Sequence, residues 1–213
     1  MSWKQLMPSE LNENLKTRNP TLAPQDLDKL ELFINEAILF NNKHNIFVRT
    51  GPLEILEKDI DDCMDLVKKT QEKEKILDLG TGGGFPGIIL GIIKKDCEVH
   101  LLEKSQKKCY FLKKIKNLLD LKNIKIINTT ITNKNSLGEY DLITARAFSS
   151  TKKILDLTQS NLKKNGRYIL LKGTIEKIEE ELETINTNKY KYEIIKTDNQ
   201  RFERHLIEIK HNE

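Results

Sequence analysis

Five of the eleven residues in LDLGTGGGFPG, Leu77–Gly87, are glycine. No other stretch constrains the fold as strongly. An apolar run, KILDL, leads into a glycine-rich turn, and a proline then opens a second apolar run, PGIILGIIK. That order reads as strand, loop and helix, with Pro86 tolerated in the first helical turn. Glycine permits positive φ and lets a ligand approach bare backbone. A helix starting there offers free N–H groups and the positive end of its dipole. The stretch therefore predicts a ligand site on an alternating α/β scaffold.

The same rhythm continues downstream. EVHLL is a second strand ending at Glu103, and Ser105 caps a helix to Leu119 whose Phe111, Ile115 and Leu118 face inward. IKIIN and YDLITA are the third and fourth strands. Lys152 to Lys163 is helical, a turn at Asn165–Gly166 precedes the fifth strand RYILLK, and Glu176 to Ile185 is helical again. YKYEIIK and RHLIEIK close the chain, too near each other for a helical crossover and so paired antiparallel. The fold class predicted is α/β, a doubly wound and mainly parallel seven-stranded sheet with helices on both faces. Upstream, residues 1–24 look loosely structured around Pro8, Pro20 and Pro24, and helical spacing predicts Asp26–Asn42 and Pro52–Thr70. Two parts follow: residues 1–70, a helical N-terminal extension packing on the core, and residues 71–213, the ligand-binding domain.

Hydrophobic residues make up 38% of the 213 and charged residues 32%, polar for a globular protein but too apolar for a disordered one. No apolar stretch approaches the ~20 residues of a membrane span, and the start MSWKQLMPSE does not read as a secretory signal. Cys63, Cys97 and Cys109 are scattered and odd in number. They are expected to be free thiols in a reducing, cytoplasmic setting, with no metal site. The net charge of +4 is unevenly spread: residues 71–173 hold 20 Lys+Arg against 10 Asp+Glu, while the segments on either side are net acidic. A basic focus around the glycine loop suits a polyanion such as nucleic acid, although 30 lysines against 6 arginines also fit simple compositional bias.

Two cofactor classes use such a loop. Gly82-Gly83-Gly84-Phe85-Pro86-Gly87 fits the dinucleotide pattern G-x-G-x-x-G, but it starts late relative to the strand. D-x-G-x-G-x-G, from Asp78 through Gly80, Gly82 and Gly84, fits the S-adenosylmethionine pattern. A carboxylate inside the first strand suits a cationic amino acid, directly or through water, and not a pyrophosphate. Glu103 can accept hydrogen bonds from both ribose hydroxyls of either cofactor.

LDLGTGGGFPGIIL, ITARAF, LLKG and ERHLIEIK, with FNNKHNIFV upstream, resemble the 16S ribosomal RNA guanine-N7 methyltransferases, the glucose-inhibited division protein B family. The resemblance spans nearly the whole chain. It implies a Rossmann-like class I methyltransferase that uses S-adenosyl-L-methionine and makes 7-methylguanosine in 16S rRNA, either as free RNA or in a small-subunit assembly intermediate. It further implies cofactor contacts at Gly80 and Phe85, with Thr81 and Gly82 of the same loop assigned to the site beside them, and an adenine framed by Ile131 and Thr132. Family members commonly carry an acid where Thr132 stands, so a side-chain contact there is not implied. Arg146, from the RAF motif, would touch both cofactor and target base. A monomer is expected.

The chemistry agrees with that resemblance. Guanine N7 offers a lone pair and carries no proton, so methylation needs neither a general base nor a cysteine nucleophile. Arg146 or Lys172 could orient the base by hydrogen-bonding its carbonyl. The lysines at 104, 107, 108, 113, 114 and 116 could meet phosphates or simply face water. Phe47 and Trp3 could stack on a base, with core packing the favoured reading for Phe47. EKIEEELE, Glu176–Glu183, would repel RNA and is expected to face away from it. Residues alone leave two alternatives open: a methyltransferase of a small molecule or protein, and an inactive RNA-binding module on the same fold.

Overall fold

The computed structural model describes residues 8–134, 137–199 and 202–212. The first element departs from expectation: α1, Pro8–Arg18, is a helix in the stretch that looked loose. Its Leu11 and Leu15 are fully buried against α2, Pro24–His44, and Arg18 reaches Asp61 and Glu57. One helical turn of apolar spacing flanked by charges was too short a signal; the tertiary contacts stabilise it. Trp3 lies outside the described residues.

The second expected helix is interrupted. α3, Pro52–Ile55, runs into a π-helical turn, Leu56–Ile60, and then α4, Asp61–Lys69. Leu56, Ile60, Cys63 and Leu66 stay buried through the interruption, so the wide turn preserves the apolar face while rotating the residues between.

Seven strands form one sheet: β1 Lys75–Leu79, β2 Glu98–Glu103, β3 Ile124–Asn128, β4 Tyr140–Arg146, β5 Leu162–Lys172, β6 Tyr190–Lys196 and β7 His205–His211. Their order is β3-β2-β1-β4-β5-β7-β6, parallel except for β7, which pairs antiparallel with both neighbours. α5, Gly87–Ile93, and α6, Gln106–Leu118, follow β1 and β2; α7, Thr151–Thr158, and α8, Ile175–Leu182, follow β4 and β5. Strand alternation sorts two cores. Ile76, Val99, Leu101 and Ile169 join the N-terminal helices, α5 and α6 on one face; Leu77, Leu79, Ile143 and Leu170 join α7 and α8 on the other.

Three local expectations shift. Leu118 is 46% exposed, because it falls at the edge of the arc formed by Phe111, Leu112 and Ile115, and Leu119 takes the inward place. The helix expected to reach Lys163 stops at Thr158, a 3-10 turn follows, and β5 begins at Leu162. Asn165–Gly166 is thus an irregularity within β5, not a turn before it. The pairing of β4 with β5 slips between Tyr140 and Leu142, and a Cβ on Gly166 would lie 2.9 Å from the Tyr140 carbonyl. Among the described residues no helix is long and apolar enough to cross a membrane, and all three cysteines are free and buried.

Candidate active site

Sheet order reverses between β1 and β4, which opens a crevice at the carboxyl ends of the strands. A cleft of about 780 Å³ lies there between the glycine loop, the end of β4 and residues 46–62 of the N-terminal helices. A second hollow of about 490 Å³ adjoins it beside Glu103. Gly80, Lys108, Ala147, Phe148 and Ser149 line both.

The loop is built from positive-φ glycines. Gly80 has φ +71°, and its N–H and that of Thr81 donate to the Leu102 carbonyl at 2.9 and 3.1 Å, binding the turn to β2. Gly87 has another reason to be glycine: a Cβ there would lie 2.1 Å from Leu101 and 2.6 Å from the Asp78 carboxylate. Its N–H donates to Asp78 Oδ2 at 2.8 Å. Asp78 is completely buried and lines neither hollow, so its carboxylate shapes the loop from behind. Burial pushes its pKa up to about 6, against the Thr81 hydroxyl, the Gly87 N–H and the Arg146 charge.

The donor set fits the expected cofactor. The Thr81 hydroxyl, buried on the wall of the larger cleft, approaches the Asp78 carboxylate without completing a hydrogen bond, which leaves it open to a ligand or its water. Glu103, 6% exposed at the end of β2, accepts from Gly82 N at 3.1 Å with one oxygen and from Ser105 N at 2.8 Å with the other. Each oxygen keeps a second lone pair for a ribose hydroxyl. Ile131 walls the smaller hollow with Thr129, Thr130 and Leu102. Thr132 is exposed and lines neither hollow; its hydroxyl accepts from Lys134 N at 3.4 Å.

Arg146 closes β4 on the wall of the larger cleft. Its guanidinium lies 5.3 Å over the Phe85 ring, donates to the Lys58 carbonyl at 3.1 Å and pairs with Asp59 at 2.6 Å. Phe85 is itself held by Phe33 and Phe47, at ring separations of 5.1 and 6.3 Å. Lys172 lines the same cleft but is committed: its Nζ pairs with Glu181 at 2.7 Å and donates to the Ser149 carbonyl at 3.2 Å. Glu181 therefore does not face away, as its acidic run suggested. It stands on the inner side of α8 next to buried Ile178 and Leu182, and it accepts from Thr151 N and the Thr151 hydroxyl, each at 2.6 Å. Burial raises its pKa, but Lys172 and the two Thr151 donors outweigh that and leave it below its ordinary value.

Several cleft residues carried no signal of their own in the sequence: Arg49, Lys58, Asp59 and Asp62 arrive from the N-terminal segment, while Arg204 and His205, at the entry to β7, lie in ERHLIEIK, which only the resemblance set apart. Arg204 pairs with Asp62 at 3.0 Å. Only FNNKHNIFV, already set apart by the resemblance, hinted that the N-terminal segment reaches the site.

The seven-stranded sheet with its antiparallel β7, the glycine turn after β1 and the carboxylate ending β2 define a class I S-adenosylmethionine-dependent methyltransferase. Solved structures share that architecture: a SAM-dependent methyltransferase from Aquifex aeolicus (TM-score 0.57, 16% identity, 73% of this chain and 92% of that one) and a ribosomal protein L11 methylase from Lactobacillus delbrueckii subsp. bulgaricus (TM-score 0.57, 18% identity, 71% and 78%). At those identities the likeness concerns the fold alone. The family model of GidB, rRNA small subunit methyltransferase G, matches residues 26–207, and the chain belongs to that family. Two proteins named Ribosomal RNA small subunit methyltransferase G illustrate the kinship. The Borreliella burgdorferi (strain ZS7) protein is 33% identical over 207 residues, 94% of this chain and 98% of that one. The Brachyspira hyodysenteriae protein is 35% identical over 184 residues, 85% and 89% respectively.

Proposed function

We propose that this chain transfers a methyl group from S-adenosylmethionine to N7 of a guanine in 16S ribosomal RNA. The observation that carries the reading is the larger cleft. It continues the nucleoside-sized hollow beside Glu103 into a space whose seven lysines and arginines, Arg49, Arg146 and Arg204 among them, outnumber Asp59, Asp62 and Glu181, so it is wide enough for a base and net cationic for its flanking phosphates. A small-molecule methyltransferase would have less use for that excess of cations around the acceptor.

Glu103 and Ile131 hold the nucleoside, and Gly80, Thr81, Gly82 and Phe85 shape the path to the methyl group. The sulfonium supplies the methyl. Because N7 carries no proton, no side chain has to remove one. Catalysis rests on alignment of the base, an effect worth roughly 7–11 kcal/mol in well-oriented reactions. Arg146 presents a guanidinium with N–H groups left over to the guanine carbonyl. Lys172, tied to Glu181, supports the neighbouring wall and is the weaker claimant for the base. From the N-terminal extension, residues 46–62 complete the cleft of the 71–213 methyltransferase unit. The protein acts as a cytoplasmic monomer on rRNA or on a small-subunit assembly intermediate.

The test is to map 7-methylguanosine in 16S rRNA from cells lacking the gene, and to restore it with purified protein and S-adenosylmethionine. Loss and recovery of one modified guanosine is the expected result. Unchanged rRNA modification removes the proposal, and calorimetric binding of NAD in place of S-adenosylmethionine removes the cofactor reading with it.

A further inference from the structure

Asp59 is 1% exposed, yet it stands at the wall of an open cleft and faces two arginines. Its Oδ2 accepts from Arg49 Nε at 2.7 Å; its Oδ1 accepts from Arg49 Nη2 at 2.9 Å and forms an ion pair with Arg146 Nη2 at 2.6 Å. The two-point pairing with Arg49 fixes the plane of the carboxylate, and the ion pair passes that orientation to Arg146. The neighbouring Lys58 carbonyl takes the other terminal nitrogen of Arg146 at 3.1 Å. Both groups come from the π-helical turn Leu56–Ile60, which brings one residue's carbonyl and the next residue's side chain to the same guanidinium. Phe85 supports the guanidinium face.

An arginine on the last residue of a strand, with a long flexible stem, would otherwise sample many rotamers. Here both of its terminal nitrogens are held by the π turn, one by a hydrogen bond and one by an ion pair, and its face by an aromatic ring, so the remaining donors point in a fixed direction. Arg49 contributes a second positive charge, so the arginine–aspartate–arginine group remains net cationic despite the buried acid. We infer that Asp59 is a positioning residue for the methyl transfer: through its bond to Arg146 it fixes the direction in which that arginine presents hydrogen bonds to the target base. The inference rests on the reading of Arg146 as the base-orienting group.

The experiment is a double-variant cycle on the full chain, with Arg146→Met, Asp59→Asn and both together, read as kcat and KM for rRNA, Kd for S-adenosylmethionine, and melting temperature. Breaking a buried pair from one side can unfold a protein, whereas replacing both partners is far milder, so the double variant gives an answer even if Asp59→Asn alone does not fold. Arg146→Met is expected to lower kcat at least a hundredfold, and the double variant to match it within threefold. Where Asp59→Asn folds, it should lose at least tenfold in kcat with less change in KM. If Arg146→Met is slow and the double variant is slower still by tenfold, Asp59 acts independently of Arg146 and the inference is overturned. Full activity in Arg146→Met overturns the role given to that arginine, and the inference falls with it.

Discussion

The Phe148 ring lies over the bare α-carbon of Gly80, so closely that a Cβ there would stand 2.4 Å from Cδ2 of the ring. Both residues line both hollows, so the ring stands where the two meet. Phe148 follows Ala147, whose φ of +51° is unusual for a residue with a side chain. The end of β4 thus turns sharply to bring an aromatic ring down on the glycine loop.

Gly80→Ala should therefore impair cofactor binding more than folding. Alanine at φ +71° costs about 1–2 kcal/mol, and its methyl group forces Phe148 aside into one of the two hollows. The expected outcome is a melting temperature lower by a few degrees and a Kd for S-adenosylmethionine raised tenfold or more by calorimetry. Wild-type affinity in a folded variant would show that the ring has room to spare.

Asp78 offers a pH test. Its carboxyl is raised in the folded state to about 6, while the ordinary value is 3.8. An acid raised on folding contributes stability below its unfolded pKa, and that contribution is lost as pH rises through the folded pKa. Asp78→Asn cannot ionise but still offers an oxygen to the Gly87 N–H. The variant should gain stability relative to the parent as pH rises from 4 to 7, a difference read by paired thermal melts. A difference that stays flat across that interval would mean the buried carboxyl does not titrate there.

The glycine loop, the seven strands and Glu103 were legible in sequence because each depends on local chemistry: positive φ, period-two burial, and a carboxylate ending a strand. The π turn was not legible, since Leu56 and Ile60 keep a helical apolar rhythm on either side of it and nothing local marks the widening. The partnership of Arg146 with Asp59 joins residues 87 positions apart, and no spacing rule reports it. Asp78 was read as attracting a cationic amino acid directly or through water; packing sets its carboxylate behind the loop, hard against Gly87 and Leu101, a placement that no spacing rule reports. Lys172 and Glu181 were each assigned a direction from their own charge, and their ion pair reversed the second assignment.

Glu103→Gln separates ribose recognition from loop geometry. One side-chain oxygen must now serve where two accepted from Gly82 and Ser105, and an amide N–H would confront one of those donors. The Kd for S-adenosylmethionine should rise about 10- to 100-fold, and adenosine alone should lose affinity by a similar factor. If adenosine binds the variant as it binds the parent, the ribose contact lies elsewhere.

The lysines of α6 divide by geometry into two groups that a salt titration can tell apart. Lys104 and Lys108 line the hollows beside the glycine loop, whereas Lys114 pairs with Glu36 at 2.6 Å and links α6 to α2. A lysine that neutralises an RNA phosphate releases a counterion, so each contact adds about 0.7 to the slope of log affinity against log salt for a single strand. Replacing Lys104 and Lys108 by alanine should flatten the slope for rRNA binding by about 1.4 and leave the melting temperature nearly unchanged. Lys114→Ala should leave the slope alone and cost no more than about 1 kcal/mol of stability, the range of an exposed ion pair. Equal slopes in the parent and the Lys104/Lys108 variant would place the RNA on the opposite wall, along Arg49, Lys58 and Arg204.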